Sequence, residues 1–198
     1  MVGSESPSSI MAFCLYELAI NTDIQERVRQ EISDVLEKHD GKMSYGCVKE
    51  MTYLDQVISE ILRMYPTIPM LAREVTKEYT IPGTDIVLEK GTQIIIPIQG
   101  IHRDSKYYPN PAKFDPDRFS EEQKKKRHPQ AFLPHGDGPR MCIGIRFGLM
   151  QTKVGLVSLL SKFKFDVSKK TSLPMKIDRK SFLVMKPDGG MWLQITKH

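Results

Sequence analysis

The run Phe132-Leu-Pro-His-Gly-Asp-Gly-Pro-Arg-Met-Cys142-Ile-Gly144 sets one thiol at the end of a loop punctuated by glycine and proline, just ahead of an apolar-periodic stretch from Ile145 to Leu160. A thiol at a helix N-terminus faces unpaired backbone N–H groups and the positive end of the helix dipole, which favours its thiolate. Gly136, Gly138 and Gly144 allow sharp turns and let a bulky flat ligand approach the main chain. Arg140, two residues before the cysteine, adds a fixed positive charge able to pair with a carboxylate. A thiolate, small residues around it and a nearby arginine are what a haem iron with anionic propionates requires, as is established for thiolate-ligated haem. Two other chemistries compete: Cys142 as a free cysteine beside a helix start, and Cys142 as a nucleophile with His135 as its base.

The elements that must position this loop follow from periodicity. Met11, Leu15, Leu18 and Ala19 recur at helical spacing, and Ile24, Val28, Ile32, Val35 and Leu36 make a second stripe. Asn21-Thr22-Asp23 reads as the turn and N-cap between the two, and Asp40-Gly41-Lys42 ends the second helix. Leu54, Val57, Ile58, Ile61, Leu62 and Tyr65 form a third amphipathic helix, stopped by Pro66. Short strands are predicted at Arg73 to Thr76, Tyr79 to Ile81, Ile86 to Leu88 and Gln93 to Ile98, divided by Pro82-Gly83 and Lys90-Gly91. A proline-dense coil follows from Tyr107 to Pro134, then the cysteine loop and its helix. Further strands are expected at Lys164 to Val167, Phe182 to Met185 and Met191 to Ile195, with Asp188-Gly189-Gly190 as a hairpin turn.

The cysteine loop resembles that of the cytochrome P450 family, haem-thiolate monooxygenases whose loop reads F-x-x-G-x-R-x-C-x-G. The register runs from His135 to Gly144, and every fixed position matches except His135, where the family carries Phe. Two further motifs extend the resemblance: Glu60 and Arg63 match an E-x-x-R helix, and Phe114-Asp-Pro-Asp-Arg-Phe119 matches a later F-x-P-E-R-F segment with Asp117 for Glu. By themselves Glu60 and Arg63 would read as a surface ion pair. The resemblance implies instead a buried network of Glu60, Arg63 and Arg118 that pins the coil leading to Cys142. It implies Cys142 as the axial iron ligand, with Arg73 and Arg140 on the haem propionates; the alternative for Arg73 is an ordinary strand-edge arginine. It also implies that Thr67 to Leu71 and Phe182 to Lys186 line a substrate pocket. Gly3-Ser-Glu-Ser6 resembles the family's A-G-x-[DE]-T motif, which would make Glu5 and Ser6 proton-relay residues. Equally, Ser6 could be an N-cap with Pro7 in the first helical position.

The resemblance covers nearly the whole chain, so residues 1–198 are expected to be a single partial domain, the C-terminal portion of the family fold: mainly α with small β-sheets. The expected function is insertion of one oxygen atom of O₂ into an apolar small molecule, with electrons from NADPH through a flavoprotein reductase, as in microsomal animal members, in particular those of insects. The family implies the cytosolic face of the endoplasmic reticulum membrane, although no anchor is read in this chain. The alternative is a truncated, non-catalytic product that keeps only the proximal haem-binding scaffold.

Composition narrows the classes further. Of 198 residues, 40% are hydrophobic and 27% charged, which suits a globular chain, and three cysteines without a C-x-x-C pair argue against a disulfide scaffold. Net charge is +5, and Lys124-Lys-Lys-Arg127 is the densest basic run. Such a run is ordinarily a solvated loop, or else a docking surface for an acidic redox partner; without interleaved aromatics it gives no support to nucleic-acid binding. His102-Arg103-Asp104 has the letters of a kinase catalytic loop, but Pro109 stands where that loop needs Asn and no glycine-rich nucleotide loop is present.

Overall fold

The apolar stripes assemble into four helices around one core in the computed structural model, which describes residues 2–178 and 185–197. Helix α1 (Val2–Ile20) buries Ile10, Phe13, Cys14 and Leu18, and α2 (Thr22–Lys38) buries Val28, Ile32 and Val35. The third amphipathic stripe is α4 (Thr52–Met64), which has nine buried residues and therefore runs through the middle of the molecule. Helix α7 (Ile145–Leu160) follows the cysteine loop and buries Leu156, Val157 and Leu160.

Polar groups fix how these helices meet. Both oxygens of Glu31 on α2 accept backbone N–H groups at the start of α4, from Tyr53 at 2.7 Å and Leu54 at 2.9 Å. A cap supplied from a neighbouring helix satisfies donors that α4 cannot satisfy itself. Lys153 on α7 donates to the Met51 carbonyl at 3.1 Å and pairs with Asp55 at 2.9 Å. Helices α1 and α7 approach closely because Gly148 lies against the Pro7 ring and Gly155 against the Met11 side chain; a Cβ at Gly155 would collide with the Met11 sulfur. These two contacts run the same way along both helices, which brings the start of α1 beside the start of α7.

Among the described residues, three two-stranded antiparallel sheets complete the fold. Strand β1 (Leu71–Glu74) pairs with β4 (Gln93–Ile96), placing Arg73 opposite Ile94; β2 (Tyr79–Thr80) pairs with β3 (Val87–Leu88). Strand β5 (Phe163–Val167) pairs with β6 (Leu193–Lys197). The remaining elements are short: α3 (Tyr45–Glu50), α5 (Ile98–His102), α6 (Glu121–Lys125) and single 3-10 turns at Pro116–Phe119, Pro129–Ala131 and Gly138–Arg140.

Several expectations need correction. The strand expected through Ile98 stops at Ile96, because Pro97 has no N–H to donate and instead precedes α5. Helix α3, absent from the periodicity reading, starts where the Ser44 hydroxyl accepts the Cys47 N–H at 3.2 Å. Asn21 occupies the N-cap position of α2 but does not cap it, since its amide turns back to the Glu17 carbonyl at 2.8 Å. Ser6 is not an N-cap: α1 already begins at Val2, so Pro7 lies inside the helix. The last strand is Leu193–Lys197 rather than Met191 to Ile195. Of the strand expected at Phe182 to Met185, positions 182–184 lie outside the described residues and Met185 is in no strand. Gly189 and Gly190 do take positive φ, as the turn requires.

Gln25 joins the first helices to the strand that follows α7. It is fully buried, donates to the Leu18 and Phe165 carbonyls at 2.9 and 2.8 Å, and accepts the Phe165 N–H at 2.9 Å. Gln25→Leu leaves three buried polar groups of the main chain without this partner, so we expect a loss of about 2 to 3 kcal/mol. Urea unfolding checks it: the midpoint should fall with an unchanged slope.

Candidate functional site

The cysteine loop is held at its entrance, across its middle and at its exit. At the entrance the Tyr108 hydroxyl donates to the Ala131 carbonyl at 2.9 Å, and the Leu133 N–H donates to Nε2 of His102 at 2.9 Å. In the middle Asp137 accepts from the Gly138 N–H at 2.7 Å and from the Gln130 side chain at 3.3 Å. At the exit the Cys142 N–H donates to the His135 carbonyl at 3.0 Å. This closure requires Gly136 and Gly138 at φ +75 and +71, a region that other residues enter at a cost. Gly144 is the N-cap residue of α7, so the thiol lies two residues ahead of the cap.

Around the loop the predicted residues take distinct positions. Cys142 is exposed, whereas Cys14 and Cys47 are buried, and burial pushes the Cys14 thiol up, followed by the nearby Glu17 charge. Arg73 is half-buried, and one guanidinium nitrogen lies 3.9 Å from where a Gly136 Cβ would stand. Its Nη1 donates to the Ala72 carbonyl at 2.9 Å. Arg140 ends the Gly138–Arg140 turn, exposed and without a side-chain partner among the described residues. Burial lowers the His135 pKa, and no hydrogen bond joins its side chain to Cys142, so the nucleophile–base arrangement is not assembled. Glu5 is exposed and Ser6 half-buried in the first turns of α1, next to the Pro7 that lies against Gly148.

Beneath the loop the charge network is present. Glu60 and Arg63 are fully buried on α4 and joined by two hydrogen bonds, Nε to Oε2 at 2.6 Å and Nη2 to Oε1 at 2.8 Å. Arg118 approaches Glu60 at 3.5 Å as an ion pair, and the Asp115 N–H donates to the same carboxylate at 2.9 Å. Arg63 also donates to the carbonyls of His102 at 3.0 Å and Lys113 at 3.4 Å. The surface-pair alternative for Glu60 and Arg63 is thereby excluded. Asp117 reaches outward to Arg27 on α2 at 3.0 Å.

Three contributors were not singled out in the sequence. His102 was legible only as part of a rejected motif, Tyr108 lay in the proline-dense coil, and Arg127 ended the basic run. Arg127 turns inward over the Tyr108 and Phe119 rings at 4.5 and 4.8 Å. Lys124 and Lys126 pair with Glu121 and Glu122, so the run presents less free charge than its letters suggest.

Haem can be tested against this donor set. Cysteine thiolate is a fitting single ligand, and among the described residues no group of three His, Cys, Asp or Glu side chains could hold a metal ion instead. A Cβ built at Gly138 or Gly144 meets nothing within 4 Å, so the loop has an open face. Met141 and Ile143 within the loop and Phe147 just after it expose apolar side chains. A flat apolar ring with anionic edges suits such a face flanked by Arg73 and Arg140, and the residues fit the group.

The family profile described as Cytochrome P450 matches residues 1–193. The chain is 55% identical over 198 residues to "Probable cytochrome P450 6a14" of Drosophila melanogaster, covering 100% of this chain and 39% of that protein. It is 48% identical to "Cytochrome P450 6a2" of the same fly and 47% identical to "Cytochrome P450 6j1" of Blattella germanica, with the same coverages. The chain therefore belongs to the cytochrome P450 family, a family of haem-thiolate enzymes, and it spans about two fifths of the length of these curated relatives. No helix among the described residues is long and apolar enough to cross a membrane.

Removing the network's only carboxylate strands two buried or nearly buried guanidiniums. Glu60→Ala should therefore cost about 3 to 5 kcal/mol of stability. Thermal unfolding of the variant checks this, and a change below about 1 kcal/mol would contradict the arrangement described.

Proposed function

We propose that this chain supplies the thiolate side of a haem-dependent monooxygenase, with Cys142 as the axial iron ligand and Arg73 and Arg140 on the propionates. The observation that carries the reading is the exposed thiol on an open, glycine-walled loop with one guanidinium against the loop and another within it. Haem bound there would supply activation of O₂ and insertion of one oxygen atom into an apolar substrate. Electrons would come from NADPH through a flavoprotein reductase, at the cytosolic face of the endoplasmic reticulum membrane. Nothing among the described residues favours a non-catalytic scaffold over this reading.

The chain's own residues have separable tasks. The bond from the Cys142 N–H to the His135 carbonyl fixes the backbone that carries the sulfur. Gly136, Gly138 and Gly144 keep side chains off the ring's approach, and the two arginines neutralise its anionic edge. Glu5 and Ser6 hold and pass protons at the start of α1, which the Pro7–Gly148 contact sets beside the start of α7. In the expected pocket segment, Ile68 and Met70 expose apolar side chains suited to an apolar substrate.

The test is the spectrum of haem-loaded, reduced protein under carbon monoxide. A thiolate-type Soret band is expected, lost in Cys142→Ser; a band that survives this substitution overturns the reading. Arg73→Ala and Arg140→Ala should each weaken haem binding about tenfold, the effect of one charge-assisted hydrogen bond. His135→Phe should slow haem loss to a scavenging apoprotein or shift the iron potential, because an apolar shell around the sulfur controls both. Glu5→Gln and Ser6→Ala should lower product formed per electron consumed without altering the band.

A further inference from the structure

His102 belongs to two structures at once. Its carbonyl accepts from Arg63 of the charge network, and its ring Nε2 accepts the Leu133 N–H at the entrance of the cysteine loop. The ring is fully buried, stacks on Phe132 at 5.3 Å and meets Tyr108 edge-on at 6.5 Å. Accepting at Nε2 puts the proton of the neutral ring on Nδ1, which has no partner in hydrogen-bonding geometry among the described residues. We propose that His102 is a positioning residue whose neutral ring ties the cysteine loop to the charge network, and that protonation of this ring releases the loop entrance.

Every charged or titratable group around the ring bears on this. Arg63 comes from α4 and Arg127 from the turn after α6; both are cations that oppose a third. Glu60 lies beyond Arg63 and is already committed to it. The Leu62 and Arg63 backbones favour the charged ring, but burial outweighs them and lowers its pKa to about 4 from the ordinary 6.5. The sign follows from that order. At neutral pH and above the anchor is intact; below about 6.5 the unfolded chain takes up the proton first, and the anchor weakens until the folded ring itself protonates near 4. A protonated ring offers Leu133 a second donor where it needs an acceptor. The neighbouring anchor does not titrate in this range, because burial pushes the Tyr108 hydroxyl up to about 12. Acid should therefore free Leu133 while Ala131 stays held.

Two variants and two readouts decide it, the spectroscopic one resting on the haem-ligand reading of Cys142. Amide exchange at Leu133, as a protection factor, is measured in haem-free and haem-loaded protein from pH 7 to pH 4, beside the thiolate-type carbon monoxide band. His102→Phe keeps a ring on Phe132 but removes the acceptor, and should lower Leu133 protection about tenfold at pH 7 with Phe165 unchanged. His102→Gln keeps an acceptor that cannot titrate, and should hold protection and band through the acid range where the parent loses them. Unchanged Leu133 protection in His102→Phe, or a parent-like acid transition in His102→Gln, overturns the proposal. Should His102→Phe not fold, the glutamine arm decides alone. Absence of a thiolate band in the parent at every pH would sink the haem reading, while exchange at Leu133 in haem-free protein still decides this one.

Discussion

One carboxylate without exposure to water sets much of the geometry. Glu60 sits on the most buried helix and collects Arg63 from its own helix, Arg118 from a later turn and the Asp115 N–H from the coil between them. Such a cluster contributes little net stability, because desolvating three charges offsets most of their attraction. What it provides is discrimination among geometries. The backbone hydrogen bonds within the coil that holds Pro109, Pro111, Pro116 and Pro129 close only local turns, and its course across α4 is fixed by satisfying charges already buried there. The cysteine loop inherits that course through His102 and Tyr108.

Much of this was legible as letters. The helical stripes marked the faces that pack, and the fixed spacing of the cysteine loop, the E-x-x-R helix and the F-x-P-x-R-F segment marked the parts that carry chemistry. Two of the misreadings lie at helix starts, where composition does not say which residue caps or where the helix begins. Asn21 has the composition of a cap but bonds backwards to Glu17, and Ser6 has the sequence of a cap before Pro7 but sits within a helix that has already begun. His102 bonds through its ring and its carbonyl in opposite directions, which no spacing reveals.

Charge shows the same limit. The basic run from Lys124 to Arg127 suggested a solvated or docking surface. Two of its lysines are neutralised by glutamates within the same short helix, and its arginine leaves the surface to lie over Tyr108 and Phe119. Guanidinium stacks well on aromatic faces and is weakly hydrated, so this inward turn is physically easy for Arg127 and would be hard for a lysine in its place.

The bond set of Gln25 has a consequence for how the chain is made. Its partners on Phe165 lie 140 residues later, and Tyr16 waits still longer for the Met175 N–H. A chain emerging from the ribosome N-terminus first therefore carries α1 and α2 with these polar groups still in water and their apolar stripes uncovered until Phe165 has been made. Closing so distant a pair costs loop entropy before any contact repays it. Between the appearance of α2 and the arrival of β5 those stripes are open to aggregation, and a chaperone has apolar surface to hold.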